Sequence, residues 1–204
     1  IEIYNGAREW DRHLIEHTTL RFSGGEIHVR LKTPITWLDR TFQIVAHIVS
    51  ADDIMETIMA TDALRRELGS DIEVHLLAPY FPYARQDRVC YPGEALSARV
   101  MCDMINAQNY ESVTVWDAHS DFVSACLNRC INVHCSEFVF QIPNAANMIL
   151  VAPDAGAAKK VEKCAAWLRS APHGQTIHSV APPVAIAGKT RNPIDGSITG
   201  THVD

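Results

Sequence analysis

Apolar and polar positions alternate in the opening residues, where Ile1 and Ile3 precede a turn at Asn5-Gly6, and this predicts a short strand. Ile27, Val29 and Leu31 alternate with His28, Arg30 and Lys32 as in a half-exposed strand. The preceding Ser23-Gly24-Gly25 predicts a hairpin with Phe22 at its bend. Phe42 to Val49 is instead a continuous apolar run with β-branched residues, the pattern of a strand buried on both faces. Ser50 to Asp53 reads as a capping box, and Ile54, Ile58 and Ala60 to Leu64 form the apolar face of a helix ending near Leu68-Gly69. A second apolar run at Val74, Leu76 and Leu77 completes a βαβ unit, whose right-handed crossover makes its strands parallel.

That second strand feeds the stretch around which the chain is organised, a Pro-punctuated loop carrying Arg85, Gln86, Asp87 and Arg88. Helical periodicity follows from Ser97 to about Gln108, with Val100, Met101, Met104 and Ile105 as its expected buried face. Ligands of α/β sheets bind outside the carboxyl ends of the strands, so this loop is a candidate site for a phosphorylated ligand. Val113, Val115 and Trp116 predict another strand, with Asp117 and His119 at its end. A carboxylate and an imidazole so placed can face a metal-bound triphosphate; the plainer reading makes His119 a hydrogen-bonded structural residue. Near Glu137 a second unit of the same design begins. It has a loop at Gln141 to Ala145, a strand from Met148 to Val151, an acid at Asp154, and a helix with Val161, Cys164, Ala165 and Leu168 on one face. Asp154 there either caps the helix or serves a ligand. The last apolar strand, from Val184, ends in Lys189 and Arg191, which lie on one side of an extended segment and can converge on one anion, or else are solvated loop charges.

Composition narrows the classes. A chain of 204 residues, 47% hydrophobic, is long enough for one large or two small domains. No apolar run approaches the ~20 residues of a membrane-spanning helix. The first residues lack the basic start and apolar core of a secretory signal, so a cytoplasmic protein is expected. A net charge of −6 argues against a nucleic-acid partner and makes any phosphate chemistry local. The six cysteines are expected as reduced thiols. Cys126, Cys130, His134 and Cys135 invite a zinc reading, but structural zinc ligands usually come in two separated pairs, which favours packing.

The segment PYFPYARQD, ending at Asp87, resembles the ATP-site motif of the ribose-phosphate pyrophosphokinases, the PRPP synthetases. Four more segments resemble that family's motifs in the family's order: the F-S-x-x-E of Phe22 and Glu26, the D-x-H of Asp117 and His119, the A-P-D-A-G around Asp154, and the K-x-R of Lys189 and Arg191. The resemblance implies an α/β fold of two phosphoribosyltransferase-like (type I) domains with mostly parallel sheets flanked by helices. The first, residues 1–136, would be the ATP-site domain, and the second, residues 137–204, an incomplete C-terminal domain. It implies transfer of a pyrophosphoryl group from Mg·ATP to the anomeric hydroxyl of ribose 5-phosphate, giving PRPP and AMP. In that scheme Lys189 and Arg191 are catalytic, and Arg85, Gln86, Asp87 and His119 position ATP. Phe22 and Glu26 hold the adenine of ATP bound in a neighbouring subunit, which implies a homo-oligomer. Asp117, His119 and Asp154 hold Mg²⁺.

Four departures accompany the resemblance. The family's acidic D-D-x-x-D-T-x-x-T ribose-phosphate loop has no counterpart, so the chain as given is expected to stop short of it. Val89 to Gly93 are mostly neutral where basic residues are common, and Asn128 and Asn132 stand where some members carry metal-binding acids. Gly24 replaces an Asn found in many members. A larger acceptor such as ADP-ribose, or a non-catalytic protein associated with a PRPP synthetase, are the alternatives.

Overall fold

The chain divides into two units, Ile1–Val133 and His134–Asp204. The structure is a computed structural model and describes residues 1–6, 12–35, 40–139, 148–170, 182–191 and 198–203.

In the first unit the described strands are β1 (Glu2–Asn5), β2 (His13–Leu14), β3 (His17–Arg21), β4 (Ile27–Leu31), β5 (Thr41–Val45), β6 (Glu73–Ala78), β7 (Ser112–Trp116) and β8 (Cys130–Val133). The helices are α1 (Ala51–Leu68), α2 (Ser97–Asn106) and α3 (Asp121–Cys126). The main sheet has the order β2-β1-β5-β6-β7-β8. Strands β5 to β8 run parallel, while β1 pairs antiparallel with both β2 and β5. This is the α/β architecture expected, with its core built from Ile3, Phe42, Ile44, Val74, Leu76, Val113 and Val115, all essentially inaccessible to solvent.

Strand β5 is shorter than its apolar run. Ala46 still donates to the Leu77 carbonyl at 2.8 Å, and Ile48 stays buried, but Val49 is 87% exposed. The chain turns there because Asp53 Oδ2 captures the N–H groups of Val49 (2.9 Å) and Ser50 (2.7 Å). Ser50 Oγ in turn accepts from the Asp53 N–H, closing the capping box. The helix buries Ile54, Thr57, Ala60, Thr61 and Leu64 and ends at Gly69. In α2 the buried residues are Ala98, Met101, Cys102 and Ile105. Val100 was expected in that face but is 54% exposed. It borders, with Met55, Tyr83, Met101 and Met104, an apolar cavity of about 360 Å³.

Strands β3 and β4 form the expected hairpin, a sheet of its own against which α1 packs. The second unit contains α4 (Ser136–Val139), β9 (Leu150–Ala152), α5 (Ala158–Ser170), β10 (Val184–Arg191) and β11 (Ile198–Val203). Strand β10 lies between a parallel β9 and an antiparallel β11. Helix α5 packs on β9 and β10 and on α4, burying Cys164, Ala165 and Leu168. The loop expected at Gln141 to Ala145 lies outside the described residues.

Candidate active site

Parallel strands β6 and β7 end side by side, with Ala78 in register with Val115. Their following loops therefore emerge at one edge, as loops at the carboxyl ends of parallel strands must. The loop after β6 is anchored by Phe81, Pro82 and Ala84, which are buried, while Arg85 and Gln86 are exposed. Tyr83 reverses the chain in the left-handed region, φ 61°, and its carbonyl accepts the Gln86 N–H at 2.9 Å. Further on, Glu94 Oε2 accepts the N–H groups of Cys90 (2.9 Å) and Tyr91 (3.1 Å), so the neutral segment after Arg88 forms a closed loop. Between these anchors lies a polar cleft of about 450 Å³ lined by Arg85, Gln86, Arg88, Cys90, Glu94 and Ser97. Two guanidinium groups flank it, a geometry suited to phosphate oxygens.

The loop after β7 meets this one through Asp87. Its carboxyl is held below the usual range, chiefly by the Ser120 hydroxyl, with smaller help from its own backbone N–H and from Arg88 and His119; partial burial works in the opposite direction. Ser120 Oγ is buried and makes no well-aligned hydrogen bond, so its pull on Asp87 is that of a close dipole. Asp117 takes a left-handed conformation, φ 47°, and donates its N–H to the Val133 carbonyl at 2.7 Å. The next N–H, of Ala118, goes to Asn132 Oδ1 at 3.1 Å. His119, the next residue, projects as an exposed side chain just beyond these two fixed backbone positions.

In this unit, then, Asp87 and His119 are brought together, with Arg85 and Gln86 on the adjoining cleft. Sequence reasoning missed Ser120 and Glu94, and marked Asn132 only as the replacement of a metal-binding acid. Glu94 had a local signal, an acid three residues after a turn's first N–H, but Ser120 and Asn132 act through the strand order, which has no local signature.

Phe22 and Glu26 sit at the β3–β4 bend. Phe22 is 54% exposed, tilts against His28 with ring centroids 5.5 Å apart, and donates its N–H to the Glu26 carbonyl at 2.9 Å. A β-carbon at Gly24 would run into the Glu26 carboxylate, so glycine lets that acid fold over the turn. Its neighbour Gly25 has φ 98°, where only glycine is unstrained.

Asp154, Lys189 and Arg191 belong to the second unit. Because β9 and β10 are parallel with Ala152 opposite Ile186, Asp154 and the Lys189 to Arg191 end of β10 lie at the same sheet edge. Asp154 caps the short 3-10 turn Ala155–Ala157, its Oδ1 accepting from Ala157 N–H at 3.1 Å. The backbone of Lys189 pairs with Thr201, and the pairing shifts register between Thr190 and Arg191. The residues weighed as one zinc cluster separate: Cys126 and Cys130 pack against the core of the first unit, as the packing reading has it, whereas His134 and Cys135 lie in the second with Cys164.

Residues 6–108, just over half of the chain, match the family model described as the N-terminal domain of ribose phosphate pyrophosphokinase. The chain belongs to the ribose-phosphate pyrophosphokinase family. A ribose-phosphate pyrophosphokinase of Corynebacterium efficiens is 29% identical over 172 residues, covering 81% of this chain and 52% of the relative. That of Corynebacterium glutamicum is 29% identical over 200 residues, 93% of this chain and 60% of the relative. Among solved structures, phosphoribosylpyrophosphate synthetase from Mycobacterium smegmatis superposes with a TM-score of 0.67 at 24% identity, covering 94% of this chain and 59% of that one, and so shares the fold. The chain thus spans between half and three fifths of the length of these pyrophosphokinases. No helix among the described residues is long and apolar enough to cross a membrane.

Proposed function

We propose that this chain carries the ATP-binding part of a ribose-phosphate pyrophosphokinase, which transfers pyrophosphate from Mg·ATP to the anomeric hydroxyl of ribose 5-phosphate and yields PRPP and AMP. The observation that carries this reading is the meeting of Asp87, Arg88, His119 and Ser120 where β6 and β7 end, beside the Arg85 and Gln86 cleft. Family membership supports it, since a P-Y-F-P-Y-A-R-Q-D loop occupies that position.

In this scheme the triphosphate lies along the cleft, with Arg85 and Arg88 neutralising its oxygens and Gln86 donating to them. Asp87, kept ionised, orients the neighbouring cations and His119 rather than touching the nucleotide anion. Lys189 and Arg191 compensate the charge that builds on the β-phosphate oxygens during in-line attack, and fixed cations at such a position need no reorganisation in the transition state. Phe22, exposed at a hairpin tip, offers an aromatic face and Glu26 a carboxylate to an adenine held in a second copy of the chain, which makes the enzyme a homo-oligomer.

The donor set suits Mg²⁺. That ion takes one or two carboxylates and completes its shell with substrate phosphates and water. In the family scheme Asp117 and Asp154 would supply the carboxylates. When bound, the ion would neutralise phosphate charge and fix the geometry of the reacting group. Asn132 is occupied in holding Ala118, so a further cation at that place is not part of the scheme.

The experiment is AMP formation from Mg·ATP by the complete gene product, offered ribose 5-phosphate and, separately, ADP-ribose. Turnover with ribose 5-phosphate supports the proposal. Turnover with ADP-ribose alone assigns the same chemistry to a larger acceptor, and none with either makes the protein a non-catalytic relative.

A further inference from the structure

The second unit holds a group of soft ligands that the pyrophosphokinase reading does not use. His134 and Cys135 lie just before α4, and Cys164 is on α5, 5% exposed. The sulfur atoms of Cys135 and Cys164 are 3.4 Å apart, Cys135 Sγ is 3.7 Å from His134 Nδ1, and the three ligand atoms lie within 4.8 Å of one another. From these distances we infer that His134, Cys135 and Cys164 form a zinc site, with water in the fourth position.

The spacing discriminates between the two chemistries open to paired thiols. In a tetrahedral site with Zn–S of about 2.3 Å and Zn–N of about 2.05 Å, two sulfurs are separated by about 3.8 Å and sulfur from nitrogen by about 3.6 Å. The observed 3.4 and 3.7 Å fall within a few tenths of those edges. A disulfide needs the sulfurs at about 2.05 Å, so at 3.4 Å the pair stands as two free thiols. The histidine is in the right tautomer. Ser136 N–H donates to Nδ1 at 3.1 Å, so Nδ1 carries the lone pair and Nε2 the proton. The Ser136 hydroxyl also lies 2.9 Å from Nδ1, and coordination exchanges both Ser136 contacts for a metal bond.

Binding is balanced by release of two protons, one from each thiol, as Zn²⁺ is taken up by two thiolates and a neutral imidazole. Two thiolates and one imidazole select a thiophilic ion such as Zn²⁺ over Mg²⁺, which prefers oxygen, so this site and the catalytic ion do not compete. Its physical effect is to staple α5 to the start of α4, two elements already packed together.

The test uses the complete chain, reduced and stripped with a chelator, then titrated with Zn²⁺ and with Co²⁺ as a spectroscopic stand-in. The expected result is one ion per chain, a thiolate-to-cobalt charge-transfer band, and release of two protons, read from titrations in buffers of different ionisation enthalpy. Cys135→Ser and Cys164→Ser should each weaken binding more than the roughly tenfold to hundredfold lost with a supporting residue, while Cys126→Ser and Cys130→Ser leave it unchanged. Cys135 is only partly buried, so its variant and the wild-type cobalt spectrum decide the matter even if Cys164→Ser does not fold. Absence of a charge-transfer band, dependence on Cys126 or Cys130, or a Cys135 to Cys164 disulfide in a chain that binds no metal once reduced would overturn the assignment. None of these readouts depends on turnover, so the zinc site and the pyrophosphokinase reading stand or fall separately.

Discussion

Asn132 Oδ1 accepts the backbone N–H of Ala118 at 3.1 Å, so a side chain on β8 fixes the loop that presents His119 from β7. Asn132→Ala leaves that N–H without its partner and should cost about 1 kcal/mol in stability. Displacement of His119 should lower AMP formation by up to about a hundredfold, the usual consequence of a misplacement near an ångström. Asn132→Asp keeps an acceptor oxygen and should recover most of both. Urea midpoints and initial rates of the complete gene product check this, and a fully active Asn132→Ala would remove the residue from the site.

Lys189→Ala should reduce turnover by two to three orders of magnitude or more, the typical effect of deleting one preorganised charge-stabilising group. ATP binding, measured by calorimetry, should change little, because the proposed scheme places the nucleotide on the first unit's loops. Undiminished turnover would exclude Lys189 from the mechanism.

The capping box of α1 carries an acid-dependent part of the stability. The Asp53 carboxyl is held below its usual range, first by the Ser50 hydroxyl and then by the backbone N–H groups of Val49 and Ser50, against an opposing effect of burial. A depressed native pKa stabilises the fold above the unfolded value, near 3.9, and that contribution disappears as pH falls through the native value. Asp53→Ala should therefore be destabilised by about 1 kcal/mol at pH 7, and the difference from wild type should close below about pH 4. Denaturant midpoints at the two pH values provide the comparison.

Alkali should act through Tyr110. Its hydroxyl lies 2.6 Å from Thr61 Oγ1 in the core between α1 and the turn after α2, and burial pushes its pKa up to about 12, against the lowering effects of Thr61 and Arg65. Between about pH 10 and 12 the unfolded chain loses this proton while the folded one retains it, so stability falls across that window. Tyr110→Phe should lose about 1 kcal/mol at pH 7 and show a shallower decline above pH 10. Equal slopes for the two proteins would contradict the assignment.

The amino-acid sequence was enough for much of this. Hydrophobic periodicity marks β4, β6, α1 and α5, because each buries one face and its neighbours in sequence report that face directly. The Ser50 and Asp53 cap could be read residue by residue, since a capping box is a contact across three positions. Candidate ligands Arg85 to Asp87, Asp117 and His119 were visible because α/β folds collect such residues at strand ends, and the family motif named them. Less visible was where an apolar run stops being a strand. Phe42 to Val49 reads as one element, but β5 ends at Val45, its pairing closing with the Ala46 N–H on Leu77, and Asp53 then holds the Val49 and Ser50 N–H groups in the turn to α1. Val100 likewise has the right chemistry for the core but lies just off the buried face of α2.

The local pattern therefore determined the elements, the parallel βαβ design and the set of polar residues available for phosphate chemistry. Tertiary structure decided which of them meet. Strand order brings Asp87 to Ser120 and His119, and Asn132 to Ala118, across gaps of many residues in the chain. The packing of α5 against α4 gives His134 and Cys135 the partner Cys164 instead of the nearer Cys130. Sequence spacing encodes distance only within a turn of helix or a pair of strands, and beyond that the closure of the sheet, paid in loop entropy and recovered by burial, sets which side chains become neighbours.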